Sequence, residues 1–135
     1  MKSPLPPFKV HTSLNTLNDA KRRHVLFNLE YDIAEFLVSK NYTVVGVNPL
    51  IKKSGSIDVY PTLKDVPFEI DIVNVFRRSE TIPEIIEEVL SVNPKALWLQ
   101  QGIRNDDAVK PVMQKWIQVI QDKCIAVYYN LCKTF

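Results

Sequence analysis

The residues with the most chemistry in them stand in short groups directly after apolar, β-rich runs. Arg77 and Arg78 follow IDIVNVF, two cations placed where charge-assisted hydrogen bonds can meet the phosphates of a ligand. They can equally form a surface pair bonded to Glu80 or Glu84. Asn48-Pro49 ends YTVVGV with a fixed backbone and a side-chain amide, suited to a structural turn or to ligand contact, and Val47 is the last strand residue before it. Lys52 and Lys53 lie in the loop beyond, as solvated charges or as partners for a phosphate. Gln100-Gln101-Gly102 closes KALWL with two amides and a glycine that permits a tight turn. Thr12 and Ser13 offer hydroxyls at the end of a weaker run, Phe8 to Ser13. Cys124 follows the last apolar run. Lys123 beside it favours a thiolate, with burial as a small apolar side chain the competing expectation.

Covalent and metal chemistry find less support. The two cysteines, Cys124 and Cys132, have no further Cys or His at metal-ligand spacing, and two thiols make no disulfide framework. His11 and His24 stand apart from any serine or cysteine at a recognisable spacing, so no triad is read. Asp106 and Asp107 are acids at a helix start, Glu69 and Asp71 flank a strand, and Trp98 belongs in the core. The expectation is a chain with no catalytic group and no metal site.

The bulk numbers agree with that reading. A chain of 135 residues with 46% apolar and 24% charged residues is ordinary for one globular domain, expected here to span 1–135. A net charge of +2 argues for neither nucleic acid nor an anionic membrane surface, and Lys21, Arg22 and Arg23 make only a short basic run. No run of about 18 apolar residues is present. Residues 1–7 carry three prolines and no apolar signal core. Reduced thiols and a cytoplasmic location are expected.

Positioning these groups requires alternating strands and helices. The first strand is expected at Phe8 to Ser13. A helical pattern runs from about Asp19 to Lys40, with Leu26, Leu29, Ile33, Phe36 and Leu37 at steps of three and four. It is long enough to be two helices or one that overhangs a sheet. Tyr42 to Val47 and Ile70 to Phe76 are buried strands, as is Lys95 to Leu99, and Asp58 to Tyr60 is a short edge strand. Leu63 to Val66 makes one helical turn. Helices are expected from Thr81 to Val92 and from Asn105 to Trp116, the latter kinked or shortened by Pro111. Val119 to Gln121 is a short last strand, and Ile125 to Leu131 a closing helix. Strands alternating with helices give a doubly wound α/β fold: a three-layer sandwich around a five- or six-stranded, mostly parallel sheet. Ligands of such sheets sit beyond the carboxyl ends of the strands, where the strand order reverses.

Taken in order, VGVNP, VYPTLKDVP, IDIVNVFRRSETIPEIIEEVL, KALWLQQGI and QDKC resemble the small CoA-binding proteins, stand-alone relatives of the CoA-binding Rossmann domain of succinyl-CoA synthetase. The resemblance runs from about Tyr31 to Cys124. It implies a Rossmann-like fold, and coenzyme A or an acyl-CoA as ligand, with no settled catalytic activity. It implies Thr12, Ser13, Val47, Asn48, Pro49, Lys52, Lys53, Arg77, Arg78, Gln100, Gln101, Gly102 and Cys124 as the residues around that ligand.

One departure stands out. The family's first strand leads into a glycine-containing loop of the form V-G-x-S and then a helix. Val10-His11-Thr12-Ser13 is assigned to that place, with His11 where glycine is expected and some ten additional residues before Tyr31. A side chain at such a turn obstructs the close approach of backbone N–H groups to a diphosphate.

Two further functions remain open. One is a degenerate relative that no longer binds CoA and serves as a protein-contact or dimerisation module, with Val25, Leu26, Phe27 and Leu29 as the apolar surface of an interaction segment. The other, an acyl-CoA enzyme working through Cys124, lacks an identifiable base.

Overall fold

A five-residue strand, β1 (Arg23–Phe27), stands in the middle of the sheet and organises everything around it. The structure is a computed structural model that describes residues 23–28, 30–50 and 53–132. After β1 come helix α1 (Tyr31–Ser39) and strands β2 (Thr43–Val47), β3 (Lys53–Ser54) and β4 (Ile57–Tyr60). Then follow β5 (Ile72–Val75), α2 (Ile86–Val92), β6 (Ala96–Leu99), α3 (Lys110–Gln114), β7 (Gln118–Ile120) and α4 (Ile125–Cys132). A 3-10 turn, Leu63–Asp65, precedes β5, and a 3-10 helix, Ser79–Ile85, leads into α2.

The strand order is β3-β4-β2-β1-β5-β6-β7. All neighbouring pairs are parallel except β3 on β4, a two-residue antiparallel edge. This is the doubly wound, Rossmann-like α/β architecture that the alternating pattern predicts.

Each strand feeds both layers because successive side chains point to opposite faces. Val25, Phe27, Val73, Val75, Leu97 and Leu99 face the 3-10 helix, α2 and α3, where Ile82, Ile85, Val89 and Val112 meet them. Leu26, Ile72, Ala96 and Trp98 face α1 and α4, against Ala34, Leu37, Ile125 and Tyr128. Strands covered on both sides read as unbroken apolar runs rather than as alternating ones.

That rule explains the largest correction. Asp19 to Lys40 is not one helical pattern: residues 23–27 are β1, and only Tyr31–Ser39 is helix. Leu26, Ile33 and Leu37 keep helical spacing by coincidence, since Leu26 lies on the strand and the others on α1. Four apolar residues among Val25, Leu26, Phe27 and Leu29 are more than one helix stripe needs, and a strand buried on both faces is what uses three of them. Val25 and Leu26 are 0% exposed and Phe27 7%, so they are core, not a surface for a partner. The strand expected at Phe8 to Ser13, with Thr12 and Ser13, lies outside the described residues, as does His11. No inserted stretch of ten residues separates the central strand from the first helix: three residues, 28–30, join β1 to α1.

The remaining elements differ in detail for readable reasons. Asp58 to Tyr60 belongs to a strand that pairs with β2 and is itself flanked by β3. Gly55, at φ +58°, begins the turn between β3 and β4, and an added Cβ there would lie 3.0 Å from the Tyr31 ring. Glycine is therefore required twice over, by backbone and by space. Pro111 falls in the first turn of a short α3, where its missing N–H costs nothing. Asn41 (φ 70°) and Asn93 (φ 47°) take left-handed conformations just past α1 and α2, the usual helix-ending use of asparagine.

At the amino-terminal edge of the sheet, Asp71 ties three strands together. Its Oδ2 accepts from the Arg23 backbone N–H at 2.8 Å and from Arg23 Nε at 3.2 Å, and Lys95 Nζ lies 3.6 Å from Oδ1. Burial works to raise the Asp71 carboxyl's pKa. The hydrogen bonds from Arg23 and the charges of Arg23 and Lys95 outweigh burial and hold it below its ordinary 3.8. Because the folded value is depressed, this stabilisation is complete above about pH 4 and is lost as pH falls through the lower, folded value. Asp71→Ala should cost about 1–3 kcal/mol in urea unfolding at pH 7. The gap between variant and parent should narrow as pH falls below about 4; a gap independent of pH would separate Asp71 from the acid sensitivity.

Candidate functional site

The crevice follows from the strand order. From β1 the chain crosses by α1 to β2 on one side. From β5 it crosses by the 3-10 helix and α2 to β6 on the other side and the other face. The two connections diverge, and the gap opens beyond the carboxyl ends of β1 and β5.

The β1 side of the gap is short and carries a negative charge. Asn28 donates its N–H to Val47 O at 3.0 Å and sits at φ 64°, a left-handed position without glycine. Two residues later Glu30 caps α1: its Oε1 accepts the Ile33 N–H at 3.2 Å. Asp32 adds a second carboxylate in the first helical turn. Each suits the positive end of the helix dipole, which explains why the sequence starts a helix here. Tyr31, at the first helical position, has its pKa raised by a hydrogen bond to Glu35 and by that residue's charge.

Across the gap, Arg77 leaves β5. Its guanidinium stands over the Phe27 ring, 5.7 Å from the centroid, and Nη2 bonds Glu84 Oε1 at 2.9 Å. Arg77 therefore lies over the last residue of the central strand, with one side of its charge already engaged. Arg78 is exposed on the rim, 3.6 Å from Glu80. The surface pairing with Glu80 and Glu84 considered from sequence is thus present in both arginines, while Arg77 also borders the crevice.

Of the other positions named from sequence, Val47 is buried and Asn48 stands at the end of β2. Asn48 Oδ1 accepts from Leu50 N at 2.8 Å, a local turn, and Pro49 is exposed. Lys52 lies outside the described residues. Lys53 begins β3, in register with Asp58. Gln101 is exposed beside Gly102, whose φ of +86° and Ile103 N–H to Gln100 O bond of 2.9 Å make a tight turn. Asp122 Oδ1 accepts the Gly102 N–H at 2.6 Å and so ties this turn to the exit of β7. Cys124 is half-buried, and its carbonyl accepts the Tyr128 N–H in the first turn of α4. Among the described residues, no cluster of three or more His, Cys, Asp or Glu could hold a metal ion.

Gln100 points inward. Its Nε2 donates to Asn74 Oδ1 at 2.8 Å, and Asn74 Nδ2 lies 3.2 Å from His24 Nε2. His24 and Asn74 are fully buried. This chain of side chains spans β6, β5 and β1 on the α1/α4 face. Sequence reasoning missed it because His24 was assigned to a helix and Asn74 to an otherwise apolar strand. A lone asparagine inside IDIVNVF was the available signal, since a buried amide demands a partner. Glu30 was missed with the same helix boundary.

The loop beyond Gly102 is fixed by further bonds. Ser79 Oγ accepts from Arg104 N at 3.0 Å, Asn105 Nδ2 donates to Ser79 O at 3.0 Å, and Gln121 Oε1 accepts from Asn105 N at 2.8 Å. The exits of β5, β6 and β7 thus form one rigid wall, whereas the β1 exit is only three residues long.

A sequence model of the family described as "CoA binding domain" matches residues 29–130. The "Uncharacterized protein YneT" of Bacillus subtilis (strain 168) is 36% identical over 101 residues, 75% of each chain. Among solved structures, the cell-free ID.343 protein from Thermus thermophilus shares the fold with a TM-score of 0.85 at 23% identity, covering 93% of this chain and 99% of that one. A hypothetical protein from Pyrococcus horikoshii OT3 superposes with a TM-score of 0.87 at 18% identity, over 98% of each chain. The dinucleotide forming acetyl-coenzyme A synthetase 1 of Ca. Korarchaeum cryptofilum shares the fold over 78% of this chain and 27% of its own length (TM-score 0.63, 16% identity).

Replacing Asn74 by alanine removes the shared partner of Gln100 and His24 inside the core. Asn74→Ala should lose about 2–4 kcal/mol in denaturant unfolding, and exposed Gln101→Ala less than about 0.5 kcal/mol. Equal effects would mean that the buried chain contributes nothing.

Proposed function

Because this chain belongs to the CoA-binding domain family, we propose that the crevice between β1 and β5 holds coenzyme A or an acyl-CoA and performs no reaction on it. The observation that carries the proposal is Arg77, a half-buried cation standing over the last residue of the central strand at the crevice edge. A phosphate can replace Glu84 as its partner, exchanging one charge-assisted hydrogen bond for another. Arg78 supplies a further exposed cation on the rim, and the sequence adds Lys52 and Lys53, proposed for the ribose phosphate end of a nucleotide. The turn at Gln101 and Gly102 lines the β6 exit, and Asn48-Pro49 the β2 exit. Thr12, Ser13 and Cys124 complete the set proposed from the sequence.

The fit is uneven. Positive charge and a shaped wall stand on the β5 and β6 side. The β1 side has no glycine, and Glu30 sits at the helix start where a diphosphate would otherwise meet backbone N–H groups. That single observation favours a second reading, in which the domain no longer binds CoA.

Calorimetric titration with CoA, acetyl-CoA and desulfo-CoA separates the two. Binding of all three at micromolar ligand is expected, with Arg77→Ala weakening each by about tenfold. Absence of heat at high micromolar CoA would sink the proposal and leave the second reading.

A further inference from the structure

Three side chains on the α1/α4 face form a hydrogen-bonded run with a direction. Gln100 Nε2 donates to Asn74 Oδ1 at 2.8 Å, which leaves Asn74 Nδ2 facing His24 Nε2 at 3.2 Å. An amide NH2 donates and does not accept, so the ring nitrogen opposite it must accept and carries no proton. From this we infer that His24 is an acid-sensitive latch, tying β1 to β5 and β6 at full strength only while its imidazole is neutral. The latch is independent of what the crevice holds.

Burial gives the protonation state its weight. His24 and Asn74 are 0% exposed and Gln100 5%, so bulk water does not replace a lost partner. Charging the ring turns Nε2 from acceptor into donor, and two N–H groups then meet across 3.2 Å. The core must also take in a positive charge.

The neighbouring elements favour the uncharged ring. Tyr42, just before β2, sets its ring at 89° to His24 with centroids 5.6 Å apart. Strands β2, β5 and β6 carry no acidic or basic side chain, and α4 brings Tyr128 and Tyr129. On α1, Asp32 and Glu35 are exposed, and Lys40 just past its end lies over the Phe36 and Tyr129 rings. Arg23, next to His24 in the chain, is bonded to Asp71, which Lys95 also approaches.

An ordinary imidazole charges near about pH 6.5. The unfolded chain takes up that proton first, so the latch contributes fully above about pH 6.5 and is lost as pH falls below it. This window lies above the one in which Asp71 fails, and the two ties release at different acidities. Gln100 leads into the turn closed by the bond from Ile103 N–H to Gln100 O, which makes the Ile103 amide a local reporter of the β6 end.

His24→Gln keeps an acceptor for Asn74 and cannot titrate, and His11→Gln removes the other histidine of the chain. Nitrogen NMR of the imidazole rings at neutral pH, assigned with His11→Gln, should show His24 protonated on Nδ1 and bare at Nε2. In urea, the unfolding constant of the parent should rise about tenfold per pH unit between about pH 6 and pH 5 relative to that of His24→Gln, with His11→Gln following the parent. The protection factor of the Ile103 amide should fall over the same range in the parent and in His11→Gln only.

A ring protonated on Nε2 at neutral pH would mean that both amides run the other way, and would overturn the inference. Parallel pH profiles for the parent and His24→Gln would overturn it too. Should His24→Gln fail to fold, the ring spectrum and the Ile103 exchange of the parent decide alone, and an Ile103 protection factor constant from neutrality to about pH 5 sinks the latch.

Discussion

The position of β1 is the constraint from which the rest follows. It is hydrogen-bonded to β2 on one side and β5 on the other, and its side chains are buried against helices above and below. A strand with both edges paired and both faces covered has no freedom to shift. Its two parallel neighbours must be reached by crossovers in opposite directions, which right-handedness sends to opposite faces. The crevice is the region those crossovers leave uncovered. It exists because of backbone pairing and would persist whatever side chains lined it.

That separation of architecture from chemistry fits the recurrence of the same fold in solved structures at only 18–23% identity. Here the rim is asymmetric. On the β5, β6 and β7 exits, Ser79, Asn105, Gln121 and Asp122 bind one loop to the next, and Arg77 lies over Phe27. On the β1 exit, a three-residue connection ends in a self-capping glutamate. Helix capping and phosphate binding draw on the same free amides. Glu30 takes up one of those amides by accepting the Ile33 N–H.

The fold was largely legible because buried parallel strands are long apolar runs with turn residues at their ends. YTVVGV, IDIVNVF and KALWL are observed as strands, each trimmed by a residue or more. The central strand was misread for a physical reason. RHVLF has an apolar stretch too short to distinguish strand from helix, and Leu26 happened to fall in phase with the helix that follows. That error displaced the β1 exit by many residues and hid Glu30, while the other exits kept their places. Asn74 and Gln100 illustrate a second limit: a sequence shows that a polar side chain sits on a strand, but not which neighbouring strand brings its partner.

The amide–imidazole chain of Gln100, Asn74 and His24 has a consequence for how the sheet assembles. Side chains alternate with period two, so sliding β5 or β6 by one residue would put its amide among Val25, Phe27 and Ile85 on the opposite side. A slip by two residues would keep the side but separate donor from acceptor. Apolar strands rich in valine and isoleucine accept many alignments at similar cost, and these three polar groups accept one. They act as an alignment key, turning a sheet that hydrophobicity alone would leave ambiguous into one with a single register.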